Sequence, residues 1–131
     1  MINWAYIAGF FDGEGNLGYG YRTNNTFSPR ITLCQSKDRG YETLKRIKEF
    51  LEQQGLQVGK INKGGYSKLT VHQQWTLQFS SRNSLNIFFK NTLPYLQIKK
   101  NQCEDCQRLL KLFPSYGKYR QRDLKGKFLS L

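Results

Sequence analysis

The chain has 131 residues, with 21 Lys and Arg against 9 Asp and Glu, a net charge of +12 and a pI near 9.8. That length suits one domain with its own core, and a basic excess spread along the whole sequence points to nucleic acid rather than to a membrane surface. Three cysteines are too few for a disulfide framework, one histidine argues against paired-histidine and His-activated nucleophile chemistry, and there is no P-loop or dinucleotide fingerprint.

Neither a signal peptide nor a long apolar run is present, so the chain is expected to act unsecreted, in whichever compartment holds its nucleic acid. Asn3, a good helix N-cap, opens the run Trp4-Ala5-Tyr6-Ile7-Ala8-Gly9-Phe10-Phe11, which is apolar all round the helical wheel and so asks for burial on every side. One small domain covers only part of such a helix. Ala5, Ala8 and Gly9, with Gly13 beside them, form a small-residue face on which a second helix could lie backbone to backbone, making this the expected dimer interface. Roughly ten residues rise only about 15 Å, half of a bilayer core, which excludes a membrane span. Gly13 and Gly15 are expected in left-handed conformations that end the helix. Glu14 then sits at the negative end of the helix dipole, where a basic side chain or a metal ion should face it.

Residues 16–23 alternate, with Leu17, Tyr19 and Tyr21 on one side, and Arg30 to Leu33 return with Ile31 and Leu33 inward. Gly18 and Gly20, on the polar face, read equally as bulges or as room for a phosphodiester backbone. Ser36 or Asp38 is expected to cap the next helix, which carries Tyr41, Leu44, Ile47 and Leu51 on its apolar face and stops near Gly55. A second hairpin follows, from strands over 57–63 and 68–80, the latter with Leu69, Val71, Trp75, Leu77 and Phe79 opposite Thr70, His72, Gln74, Thr76 and Gln78. Asn83 or Ser84 opens a short helix that Pro94 ends, and a last helix covers 101–113. Cys103 and Cys106 have CxxC spacing without a second pair, so they read as small core residues beside Leu110 and Phe113.

The stretch Ile7-Ala8-Gly9-Phe10-Phe11-Asp12-Gly13-Glu14-Gly15 resembles, position for position, the signature of the LAGLIDADG homing endonucleases. The predicted order of helix, two strands, helix, two strands and two helices is also that of the family core. Gln35-Ser36-Lys37-Asp38-Arg39 and Pro94-Tyr95-Leu96-Gln97-Ile98-Lys99-Lys100 extend the likeness. It implies an α+β fold, α-β-β-α-β-β-α, with a curved antiparallel sheet as a DNA-binding saddle over residues 1–114, followed by a basic tail over 115–131. Glu rather than Asp at position 14 and a shorter first hairpin depart from the commonest pattern.

With one signature present, the resemblance implies a homodimer paired through Ala5, Ala8 and Gly9 that makes a Mg²⁺-dependent double-strand cut in a long pseudo-palindromic DNA site, promoting mobility of a host intron. Glu14 and its symmetry mate would be metal ligands, with the Gly13 carbonyl as a further one; two adjacent carboxylates repel unless a cation bridges them, and Mg²⁺ is hard enough to suit oxygen. By position Gln35 would order the attacking water, while Arg39 and Lys99 would offset phosphate charge, with Lys100 one residue from taking the place of Lys99. Asp12 reads as structural. Expected DNA contacts are Arg22, Asn24, Arg30, Thr32 and Asn62 on the turns and strands, and Lys68, Thr70, His72, Gln74, Thr76 and Gln78 on the long strand. The alternative reading is a family member that has lost cleavage and binds DNA as a regulator or intron RNA as a maturase.

Overall fold

The computed structural model describes residues 2–19, 27–36, 39–64 and 73–112. Helix α1 (Trp4–Glu14) leads directly into β1 (Gly15–Gly18), followed by β2 (Arg30–Ser36), α2 (Gly40–Gln53), β3 (Asn62–Lys63), β4 (Gln74–Phe79), α3 (Arg82–Thr92), a 3₁₀ turn (Leu93–Tyr95) and α4 (Lys100–Leu112). The strands form one antiparallel sheet in the order β1-β2-β4-β3, and the helices cover one of its faces. The order of helices and strands is the one the alternating and helical periodicities predict, and the α+β arrangement is the one the resemblance implies. Residues 20–26, 37–38, 65–72 and 113–131 lie outside the described residues. With them go the expected extension of the first strand, much of the second hairpin, Phe113 at the end of the last helix and the basic tail.

Strand alternation divides the sheet cleanly. Leu17, Ile31, Leu33, Leu77 and Phe79 are buried under the helices, while Asn16, Arg30, Thr32, Thr76 and Gln78 occupy the other face and stay partly or fully exposed. Phe88 of α3 sits at the centre of the covered side, with the rings of Phe11 and Phe79 each 5.2 Å away and Trp4 at 6.2 Å. Buried Leu44, Ile47 and Leu51 dock α2 on β2 and β4. Tyr41, expected beside them, is 41% exposed and instead meets Trp75 edge-on at 5.2 Å.

Helix α1 starts as expected, with Asn3 Oδ1 accepting the Tyr6 amide at 2.8 Å. Its sides are unequal. Ile7, Ala8 and Phe11 are buried, whereas Ala5, Tyr6 and Gly9 are exposed, so the outer face of an almost wholly apolar helix is uncovered in a single chain. Ala8, expected on the pairing face, belongs to the chain's own core, because its position four residues after Trp4 and three before Phe11 puts it on the inner stripe.

The helix ends also differ from expectation. Gly13 is still helical and Gly15 is extended at φ −104°, ψ 170°, because β1 begins at once and leaves no room for a left-handed turn; the one described glycine with positive φ is Gly55, at 98°, where α2 ends. Ser36 is the last residue of β2, paired with Gln74, and α2 starts after Arg39 without a side-chain cap. Ser81 rather than Asn83 or Ser84 caps α3, accepting the Ser84 amide at 3.2 Å. Ser84 is fully buried, and its hydroxyl accepts the Gln57 amide at 2.8 Å. That bond ties the chain after α2 to α3, and of the strand expected over 57–63 the structure shows Asn62–Lys63, with the Gly59 amide bonded to the Gln78 carbonyl at 3.0 Å. Cys103 and Cys106 are fully buried with Leu110, and burial pushes both thiols up to about 12, so they remain protonated core residues.

A Cβ added at Gly15 would stand 2.3 Å from Cδ1 and 2.9 Å from the carbonyl oxygen of Phe11, so the step from α1 to β1 closes over a bare backbone. Gly15→Ala is expected to cost about 1–3 kcal/mol of stability by overpacking, read as a lower midpoint in denaturant unfolding.

Candidate active site

The end of α1 is tied to the start of α4 by a reciprocal set of bonds. Asp12 lies in the last turn of the helix, two residues before its end, and its carboxylate accepts three consecutive amides: Gln97 at 2.7 Å, Ile98 at 3.2 Å and Lys99 at 2.9 Å. Lys99 answers by donating its Nζ to the Asp12 carbonyl at 2.8 Å, with the ammonium 5.5 Å from the Phe11 ring centroid. Lys99 thus lies at the negative end of α1, but on a main-chain carbonyl of the last turn rather than facing Glu14, for which a positive partner is expected from sequence. Its own carbonyl accepts the Cys103 amide at 2.9 Å in the first turn of α4, so both ends of this lysine are fixed. Neighbouring Lys100 is the first residue of α4 and is exposed.

Burial works to raise the Asp12 carboxyl, but the amides of Gln97, Lys99 and Ile98 and the Lys99 charge outweigh it and hold the group below its ordinary value. Asp12 is thus committed to holding the helix end. Glu14, two residues on, is exposed, and among the described residues no hydrogen bond or ion pair engages it. The pairing of Gly15 with Leu33 sets Glu14 next to Cys34, and the thiol is raised first by burial and then by the Glu14 charge. Cys34 is the residue at this centre that sequence reasoning missed; the signal for it lay in the register of the first two strands.

Gln35 follows Cys34 at the end of β2, facing the helical side as Leu33 does, and its Oε1 accepts the Ser36 amide at 3.1 Å. The Nε2 end of that side chain is left as a donor. Arg39 is exposed at the mouth of α2, in a surface recess with Glu42, Thr43 and Arg46. The structure brings Glu14, the end of β2 and the Lys99 segment to one corner, while among the described residues no hydrogen bond or ion pair links the Arg39 side chain to Glu14, Gln35 or Lys99.

Of the expected DNA contacts, Arg30, Thr32, Asn62, Gln74, Thr76 and Gln78 share the uncovered face of the sheet, in a lattice where Thr32 pairs with Gln78 and Thr76 with both Cys34 and Asn62. Asn16 and Ser36 join them there by register. Arg22, Asn24, Lys68, Thr70 and His72 lie outside the described residues. Gly13, whose carbonyl is among the unsatisfied acceptors of the last helical turn, is exposed beside Glu14. Among the described residues no group of three or more His, Cys, Asp or Glu side chains could hold a metal ion. Among the described residues this corner offers the Glu14 carboxylate and the Gly13 main-chain oxygen, a hard donor set that suits a divalent cation only as part of a larger shell.

By sequence, no family model and no curated protein matches. By structure, the chain is similar to the homing endonuclease I-CvuI, solved with its target in the presence of 2 mM Ca, at a TM-score of 0.61 and 23% identity over 83% of this chain and 66% of that one. It is also similar to the LAGLIDADG homing endonuclease I-SmaMI bound to cleaved DNA (TM-score 0.59, 22% identity, 86% of this chain and 36% of that one). A third similar structure is the LAGLIDADG meganuclease I-AabMI bound to uncleaved DNA (TM-score 0.57, 23% identity, 85% and 38%). The chain spans just under two thirds of the first protein and little more than a third of the other two, and at this identity the likeness is one of fold.

Asp12→Ala should remove the anchor for three amides and destabilise the protein by about 2 kcal/mol in denaturant unfolding at neutral pH. Because the folded carboxyl titrates below its unfolded value, its contribution is complete above about pH 4 and disappears as pH falls through the folded value, so parent and variant should converge in acid.

Proposed function

We propose that this chain, whose fold is that of the LAGLIDADG homing endonucleases, is a single-signature member of that family and a sequence-specific DNA endonuclease that works as a homodimer. The observation that carries this reading is Glu14. It is a free, exposed carboxylate at the end of a helix whose outer face is apolar and uncovered, beside an uncovered sheet face of Arg, Thr, Asn and Gln side chains. Two copies joined along that helix face would bring two Glu14 carboxylates to the middle of one continuous polar surface, in reach of both strands of a duplex.

Within that arrangement each group of this chain has a definite task. Glu14, with the Gly13 carbonyl, would hold a divalent cation such as Mg²⁺, which when bound supplies charge neutralisation at the scissile phosphate. I-CvuI has been solved with Mg and with Ca, in keeping with such an ion. Gln35 keeps its amide nitrogen free and would donate to the attacking water oxygen or to a phosphate oxygen. Lys99, anchored at the end of α1, retains further donors for the developing negative charge, and Arg39 would meet the phosphate once DNA draws it in. Arg30, Thr32, Asn62, Gln74, Thr76 and Gln78 would face the duplex, the uncharged ones suited to base edges in a major groove. Promotion of the mobility of a host intron is the biological role that such cutting would serve. No described helix is long and apolar enough to cross a membrane.

On a duplex that the parent protein cuts, Glu14→Gln is expected to abolish Mg²⁺-dependent cleavage while leaving the Kd within a few-fold by gel shift; a fully active variant would remove Glu14 from the centre. A Cβ at Gly9 meets nothing within 4 Å in its own chain, so Gly9→Leu should leave the fold intact but lower the mass seen by light scattering from two chains to one. An unchanged mass contradicts the helix pairing. Binding should weaken linearly in log Kd against log salt, with a slope near 0.9 per phosphate contacted.

A further inference from the structure

We infer that Gly40 and Trp75 are positioning residues for the cleavage centre, an inference that rests on the endonuclease function proposed above. Gly40 is the first residue of α2 and is buried. A Cβ there would stand 2.9 Å from the carbonyl oxygen of Gln35, 3.1 Å from its carbonyl carbon and 2.9 Å from Cδ1 of Trp75. Gln35 and Trp75 are themselves partners across β2 and β4, so the start of α2 is seated on that strand pair at a distance only a bare backbone allows. The next residue, Tyr41, meets Trp75 edge-on at 5.2 Å and 67°, and the Lys63 ammonium lies 6.0 Å from the same ring. Glycine is a poor helix former, and Gly40 has no positive φ to call for it; space is the physical reason for it here.

The seat matters because of what hangs from it. The Oε1 of Gln35 is bound to the Ser36 amide, so the direction of its free Nε2 follows the main chain at 35–36, the peptide against which Gly40 rests. Arg39 immediately precedes Gly40 and is carried by the same contact. A methyl group at position 40 would push α2 and the Gln35 peptide apart and swing both groups relative to Glu14. Neither Gly40 nor Trp75 lies on the polar sheet face, since Trp75 alternates with the buried Leu77 and Phe79, so the displacement should act on the chemical step and spare the DNA contacts.

The test uses the full chain and a duplex recovered from a randomised library by cleavage with the parent protein in Mg²⁺, with single-turnover cleavage rate and Kd measured separately. Gly40→Ala is expected to slow cleavage by about tenfold or more with Kd within about twofold, because misplacement on the order of 1 Å can cost about a hundredfold in rate. Trp75→Phe, which keeps an aromatic edge but leaves the seat loose, should slow it several-fold and serves as the deciding variant if Gly40→Ala does not fold. Leu109→Ala on α4 serves as a control for destabilisation and should cut at the parent rate below its melting temperature. Parent-like rates in both variants, slowing matched by Leu109→Ala, or loss of affinity in proportion to rate would each overturn the inference. If the parent protein cuts nothing in the library, the endonuclease reading fails and this inference with it; a cutting parent with unaffected variants overturns this inference alone.

Discussion

The reciprocal bond between Asp12 and the segment before α4 is the constraint on which the remaining geometry depends. An apolar helix that ends in a carboxylate must have its last turn fixed in direction, or Glu14 would point nowhere in particular. Asp12 does this by gathering three amides from residues 97–99, and Lys99 returns the contact to the Asp12 carbonyl. Two acidic residues two positions apart are thereby separated in function. One is consumed by hydrogen bonds and held ionised, and the other stays free at the surface.

The sheet extends this division of labour. Its inner face and the helices bury Phe11, Phe88, Leu33 and Leu77 in a single core, and its outer face carries no large apolar side chain among the described residues of β1, β2 and β4. Because β1 follows α1 without a turn, the position of Glu14 is locked to the register of that sheet through Gly15 and Leu33. The polar face, the carboxylate and the exposed side of α1 therefore meet at one corner. A second copy placed on α1 would continue the surface rather than create a separate one.

Much of this is legible in the sequence because it rests on local periodicity. The alternation at Ile31 and Leu33 and at Trp75, Leu77 and Phe79 marks the buried face, and the resemblance of residues 7–15 points to Glu14. What escapes depends on contacts distant in the chain. Small residues read alike on a helical wheel, which sends Ala8 outward with Ala5 and Gly9, yet the neighbouring core decides which side of α1 faces inward. The expected left-handed Gly13 and Gly15 give way to a helix that runs straight into a strand. Ser84 reads as a cap, but its hydroxyl serves Gln57, twenty-seven residues away. Cys34 beside Glu14, and Gly40 against Gln35, follow from strand register and helix docking, which no single stretch of sequence encodes.

The function proposed above, in which two such corners meet on one duplex and cut both of its strands, is tested most directly by exposing a randomised duplex library to the protein in Mg²⁺ and, in parallel, in EDTA, and sequencing the cut ends. The expected result is one recurrent, pseudo-palindromic site severed on both strands in Mg²⁺ and left whole in EDTA. Sites that are bound and recovered intact under both conditions would contradict it.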